Sequence, residues 1–174
     1  MGHDADIMTA DLPAATPNRT LPTIFVDADA CPVRDEVYRV ATRVGLSVHV
    51  VANGSRPIRP PGLPNVAMVI VGDSMDAADD WIVERIQAND ICVTNDIPLA
   101  ARCLDRQAFA LGFTGKVWTA ANIGSALAGR EISRHMREMG FESGGGRPME
   151  KADRSRFLSA LDNTVVAACR ALKR

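Results

Sequence analysis

The sequence predicts a layered α/β domain built on a mostly parallel sheet. Short apolar runs at residues 23–26, 46–52, 66–71 and 91–94 alternate with segments whose apolar residues recur at helical spacing. Strands that alternate with helices pair in parallel through crossovers, with helices covering the sheet. A third observation points to function: acidic residues stand just beyond three of the four runs.

In chain order, residues 1–20 mix Gly, Asp, Pro, Ala and Thr without periodicity and read as a leader without regular structure. Residues 21–174 read as one domain. The first strand, Thr23-Ile24-Phe25-Val26, runs into Asp27-Ala28-Asp29, a buried strand feeding a polar turn. Pro32 suits the first turn of the helix that follows. Val33, Val37, Val40, Ala41 and Val44 form that helix's stripe, and Gly45 closes it. The second and third strands flank a loop over residues 53–65 that holds four prolines and two arginines. Gly72-Asp73-Ser74 opens a second helix through about Ala88, and Ile97 begins a third. A fifth strand is expected at residues 109–111 or 116–118. Residues 122–140 read as helix, Gly144-Gly145-Gly146 as loop, and the chain from Asp153 as a last helix with Phe157, Leu161, Val165, Ala168 and Leu172 in its stripe.

Composition narrows the function. The chain of 174 residues carries 20 basic and 21 acidic side chains, so no global field favours a polyanion. Seventeen of the basic residues are Arg, whose planar fork suits phosphate. Cys31, Cys92, Cys103 and Cys169 form no CxxC pair, and the three histidines are too scattered for a zinc set. No secretory signal and no apolar run of membrane-spanning length occurs, so a reduced, cytoplasmic protein with no membrane partner is expected.

Ligands of open parallel sheets bind beyond the carboxyl ends of the strands. Asp27 and Asp29 follow the first strand, Asp73, Asp76, Asp79 and Asp80 the third, and Asp96 the fourth, so all lie at that edge. Asp27 and Asp29, two apart, project to one side of extended chain, while Asp76 shares a helix face with Asp79 or Asp80. Close pairs of carboxylates cost on the order of 4 kcal/mol at 4 Å and an effective dielectric near 20. A cation relieves that repulsion, and hard oxygen ligands without His or Cys select Mg²⁺ or Mn²⁺. Helix capping competes as an explanation, since Asp73 and Asp96 each precede a helix. Capping leaves unexplained the two acids of Asp27-Ala28-Asp29 and the crowding of Asp76, Asp79 and Asp80.

Other residues have weaker signals. Ser55, Arg56 and Arg59 follow the second strand and are placed to meet phosphate, or to form a solvated loop. Thr94 and Asn95 flank Asp96 and can orient water or substrate, or shape the turn. Arg147 beside the triple glycine can offer an anion nest, or the segment is a connector. Cys31, beside two acids, is rejected as a nucleophile. Trp81 and Trp118 can stack bases, but packing is their default role, and His49 and His135 are assigned none.

Val26-Asp27-Ala28-Asp29-Ala30-Cys31-Pro32 resembles the opening signature of the YaiI/YqxD family of small bacterial proteins of PIN-like fold. Asp76-Ala77-Ala78-Asp79, the run from Asp90 to Ala100 and Gly144-Gly145-Gly146-Arg147-Pro148 resemble further motifs of that family, so the similarity extends from residue 23 to about 165. The resemblance implies a three-layer PIN-like α/β domain, its mostly parallel sheet of four to five strands flanked by helices. It implies Asp27, Asp79 and Asp96 as the core metal-holding and catalytic acids, with Asp29 and Asp76 supplementary and Glu36 a loose candidate for an early helical glutamate. PIN-like domains generally cleave RNA with Mg²⁺ or Mn²⁺, so RNA or another phosphodiester is the implied substrate. Gly112-Phe113-Thr114-Gly115 stands where a proline-containing segment is expected.

Two further functions compete. Asp27-Ala28-Asp29 also resembles the nucleophile and acid–base pair of haloacid-dehalogenase-type phosphatases, with Asp27 forming a phosphoaspartate. Motif order opposes this, because Asp73 to Asp80 precede Lys116 and no later acidic pair follows. A non-catalytic RNA- or partner-binding module is the third reading. Oligomeric state has no signature in the sequence.

Overall fold

A computed structural model describes residues 19–55, 58–140 and 148–173. Eleven elements occur in the order β1 (Ile24–Asp27), α1 (Arg34–Val44), β2 (Val48–Asn53), β3 (Val66–Val71), α2 (Ala77–Arg85), β4 (Ile91–Val93), α3 (Ile97–Asp105), β5 (Phe109–Leu111), β6 (Val117–Trp118), α4 (Ala120–Glu138) and α5 (Lys151–Leu172). They build one sheet of strand order β3-β2-β1-β4-β5-β6. The first five strands pair in parallel and β6 is antiparallel to β5. Both candidate positions for a fifth strand are therefore strands, paired with each other.

Alternation along each strand separates two cores. Ile24, Val26, Val48, Val50, Ile91 and Val93 face α1 and α5, packing with Val37, Val40, Phe157, Leu161 and Val165. Phe25, Val51, Val69, Val71 and Cys92 face the opposite way, against Trp81 and Ile82 of α2 and Leu99 and Cys103 of α3. The result is three layers, as in a PIN-like domain. In the second core, Phe25, His49 and Trp81 stack edge to face or tilted, with centroids 5.1 to 6.2 Å apart. Packing is thus the role of Trp81.

Local signals set the boundaries. Gly45 ends α1 at φ 83°, its N–H bonded to the Ala41 carbonyl, as an αL cap requires. The second helix begins five residues later than Gly72, at Ala77, because residues 72–76 turn after β3 instead of winding directly into helix. Gly112-Phe113-Thr114-Gly115 makes the β5–β6 turn, with the Gly112 N–H on the Lys116 carbonyl at 2.8 Å. A Cβ on Gly115, at φ 94°, would lie 2.8 Å from the Arg156 carbonyl oxygen, so only glycine lets the turn seat on α5. Residues 1–18, Arg56 and the triple-glycine loop with Arg147 lie outside the described residues.

Candidate metal centre

β1 sits centrally in the sheet, and its last residue, Asp27, is registered against Val51 at the carboxyl edge. Asp27 is 8 % exposed. Its Oδ2 accepts a 2.8 Å hydrogen bond from the Thr94 hydroxyl, just beyond β4. Thr94 Oγ1 in turn accepts the Asp96 N–H at 2.9 Å. One buried hydroxyl therefore fixes the ends of two neighbouring strands and both their acids.

Asp96 is the N-cap of α3, with Oδ1 accepting the Leu99 N–H at 3.0 Å and Pro98 in the first turn. Capping uses Oδ1, which leaves Oδ2 for other partners. The capping reading of this aspartate therefore holds. Asp76 occupies the N-cap position of α2 with no side-chain cap bond, and Asp79 lies in that helix's first turn. Asp27, Asp29, Asp76, Asp79 and Asp96 line one cleft of about 270 Å³, together with Asn53, Ser74 and Arg130.

Burial and, after it, mutual repulsion are expressed in protonation. Burial, then the negative charges of Asp96, Asp27 and Asp76, push the Asp79 carboxyl up to about 7, against a smaller opposing pull from Arg102. Burial also raises Asp27, opposed by the Thr94 hydroxyl and the Asp29 backbone N–H, while Asp96 and Asp29 add to the rise. At neutral pH the cleft therefore holds more negative charge than its surroundings easily stabilise.

The remaining candidates are dispersed. Asp80 turns to α3 and pairs with Arg102 at 3.0 Å. Asp73 is exposed and does not line the cleft. Asn95 accepts the Phe113 N–H at 2.8 Å and so anchors the β5–β6 turn. Ser55 donates its N–H and hydroxyl to Asn53 Oδ1, forming a turn at the end of β2 outside the cleft lining. Glu36 ties α1 to α5 through Arg154 at 3.3 Å and does not line the cleft. Burial pushes the Cys31 thiol up to about 11, so it stays protonated and inert.

Asn53 and Arg130 are among the cleft residues not singled out from sequence. Asn53 ends β2 at the edge already marked by Asp27, a signal that was present. Arg130 belongs to α4, whose position beside α3 no sequence pattern encodes.

The model of an uncharacterised bacterial family named YaiI/YqxD matches residues 25–167. The chain belongs to the YaiI/YqxD family. It is 53 % identical over 144 residues to a UPF0178 protein of Parvibaculum lavamentivorans, covering 83 % of this chain and 93 % of the relative. A UPF0178 protein of Rhodospirillum rubrum is 52 % identical over 147 residues, covering 84 % and 97 %, and one of Paramagnetospirillum magneticum is 52 % identical over 147 residues, covering 84 % and 96 %. No solved structure matches.

The cleft of this YaiI/YqxD protein is lined by five carboxylates, with the side-chain oxygens of Asn53 and Ser74 and, among the described residues, no His or Cys, which suits a hard divalent cation. Among the described residues no three Asp, Glu, His or Cys side chains are placed to hold an ion between them. That donor set fits Mg²⁺ or Mn²⁺ bound by one or two carboxylates, its shell completed by water and substrate oxygens. It does not fit a closed, all-protein cage. Asp27, Asp79 and Asp96 are the residues that can supply the carboxylates.

Proposed function

We propose that this protein is a divalent-metal-dependent phosphodiesterase of PIN-like type, with RNA as the substrate class that the resemblance implies. The observation that carries the reading is the convergence of acids from the ends of β1 and β4 and the start of α2 on one cleft, with Asp79 held near neutrality. Bound Mg²⁺ or Mn²⁺ supplies Lewis-acid polarisation of a phosphoryl oxygen and a water acidic enough to attack at neutral pH.

The chain's own contribution is positioning. Thr94 holds Asp27 and the Asp96 backbone in fixed relation before substrate arrives, which lowers the ordering cost of the reactive arrangement. Asp79, raised first by burial and then by its acidic neighbours, would be a carboxylate ligand once a cation's positive charge favoured its ionised form. Attack of the water oxygen forms one P–O bond as the leaving P–O bond breaks, giving a phosphomonoester and an alcohol. Asp29 and Asp76, exposed at the mouth, are suited to ordering water around the ion. The phosphatase alternative draws no support here: Lys116 stands over the Trp118 ring at 5.6 Å, and no lysine lines the cleft among the described residues.

The test is cleavage of end-labelled RNA and DNA oligonucleotides with Mg²⁺ or Mn²⁺, with chelator and Asp96→Asn as controls. Cleavage that needs metal and falls at least tenfold in the variant, roughly the loss expected when a metal site is disturbed, supports the reading. No cleavage by the parent, or equal cleavage by the variant, refutes it.

A further inference from the structure

α4 is a helix of 19 residues with no buried residue. Its half-buried positions, Asn122, Ile123, Ala126 and Leu127, lie in its first half, and every residue from Ala128 to Gly140 is exposed. A helix exposed over so much of its length gains little from core packing, and its outer half exposes Ile132, Met136 and Met139 besides its charged side chains. Packing alone does not account for its projecting past the site.

Its charge pattern is ordered. Arg130, Arg134 and Arg137 recur at i, i+4 and i+7 and share one face. The row starts at Arg130, the one cation among the described residues lining the acidic cleft. From there it runs about 10 Å along the helix axis, at 1.5 Å per residue. Arg134 meets Glu131 at 2.6 Å, but both side chains are more than half exposed. An ion pair of that kind contributes little and exchanges readily for a phosphate partner. An arginine placed only to offset five carboxylates would stay beside them. A row that leaves the acids and continues outward along a helix is better matched to a partner that carries repeated negative charge.

We infer that the Arg130–Arg134–Arg137 face of α4 binds the backbone of a single-stranded polynucleotide leaving the acidic cleft. This rests on the phosphodiesterase reading and deepens it. Arg130 holds the phosphate nearest the acids, and Arg134 and Arg137 hold phosphates farther along the same strand. A single row of forks follows one strand, and Arg engages phosphate oxygens in bidentate fashion. The contacts are to phosphate, so they set direction and register without reading base sequence. The preferred substrate is therefore a strand several nucleotides long, not a mononucleotide or small diester.

The test is fluorescence anisotropy of labelled oligouridylate and oligothymidylate of about twelve nucleotides, a length within the range that single-strand grooves accommodate. It is run in chelator, so binding is read without metal or turnover. The parent is compared with Arg134→Glu/Arg137→Glu, with the milder Arg130→Gln, and with Arg39→Glu, at an exposed position of α1, as a control for added negative charge. Helicity by circular dichroism confirms that each variant folds. The parent is expected to bind with an affinity that falls as salt rises. The double reversal is expected to weaken binding at least tenfold and to flatten the salt slope by about 1.4, two phosphates at roughly 0.7 each. Tighter binding of one oligonucleotide identifies RNA or DNA as the source of the strand. No parental binding at low salt, or a double variant indistinguishable from Arg39→Glu, overturns the inference. Loss of cleavage with stripe-dependent binding retained refutes the phosphodiesterase reading instead and leaves a strand-binding module.

Discussion

The Thr94 hydroxyl donates to Asp27 Oδ2 at 2.8 Å while accepting the Asp96 N–H at 2.9 Å, so one fully buried oxygen couples two acids that are 69 positions apart in the chain. Replacing Thr94 by Val keeps the shape and removes both bonds. The buried Asp27 carboxylate and the half-buried Asp96 N–H then lose their partner, and destabilisation of about 2 to 4 kcal/mol is expected in urea unfolding. Mn²⁺ affinity falls as well, because Asp27 loses the bond that favours its charged form. Thr94→Ser, which retains the hydroxyl, recovers most of both properties. A Val variant as stable as the parent would show that this oxygen does not order the site.

Protonation of Asp79 sets the dependence on pH. Its folded pKa, about 7, lies above its ordinary value of 3.8. The folded protein therefore binds the proton more tightly than the unfolded chain does. The stability this provides is fully present below about pH 3.8 and is lost as pH rises through about 7. Without metal, the melting temperature should decline from pH 5 to 8, and Asp79→Asn should flatten the decline. Metal affinity runs the other way, strengthening as Asp79 ionises, with proton release on binding. Calorimetry in buffers of different ionisation enthalpy reads that release directly.

Far from the cleft, Asp90 is 1 % exposed and accepts the backbone N–H groups of Thr23 at 2.8 Å and Gln87 at 2.9 Å, besides pairing with Arg19. It secures the start of β1 to the turn before β4. Asp90→Ala strands those donors and should cost at least about 3 kcal/mol in denaturant unfolding. Below about 1 kcal/mol, the knot would be peripheral to stability.

Cys31 lies close to the acids, and its thiol is held at about 11 by burial. Folded protein should react with iodoacetamide at neutral pH far more slowly than unfolded protein. Cys31→Ser should keep metal-dependent cleavage. Fast native alkylation coupled to loss of cleavage would bring the thiol back as a functional group.

Much of this site is written locally. Asp27, Asp79 and Asp96 each stand at a strand end or helix start, and the rule that ligands gather at the carboxyl edge of a parallel sheet joins them without coordinates. The sheet was equally legible, because β1 to β4 are apolar runs bounded by turn residues. Features that depend on how helices dock were not. Glu36 looks like an early helical acid, yet its partner Arg154 is 118 positions away on α5. Asn95 sits beside Asp96 in sequence, but its side chain turns to Phe113. Arg130 reaches the cleft only because α4 packs on α3, and α4 has no buried residue to announce that contact. The start of α2 lies later than Gly72-Asp73-Ser74 suggests because residues 72–76 form a turn after β3, with Ser74 and Asp76 on the cleft and Asp73 outside it.

The most direct measurement is titration calorimetry of Mn²⁺ and Mg²⁺ into the parent protein and Asp27→Asn, which needs no assumption about substrate. Saturable binding near neutral pH, weakened at least tenfold by the substitution, is the expected result. Absence of binding at millimolar metal, or equal binding by Asp27→Asn, would contradict a metal centre at these aspartates.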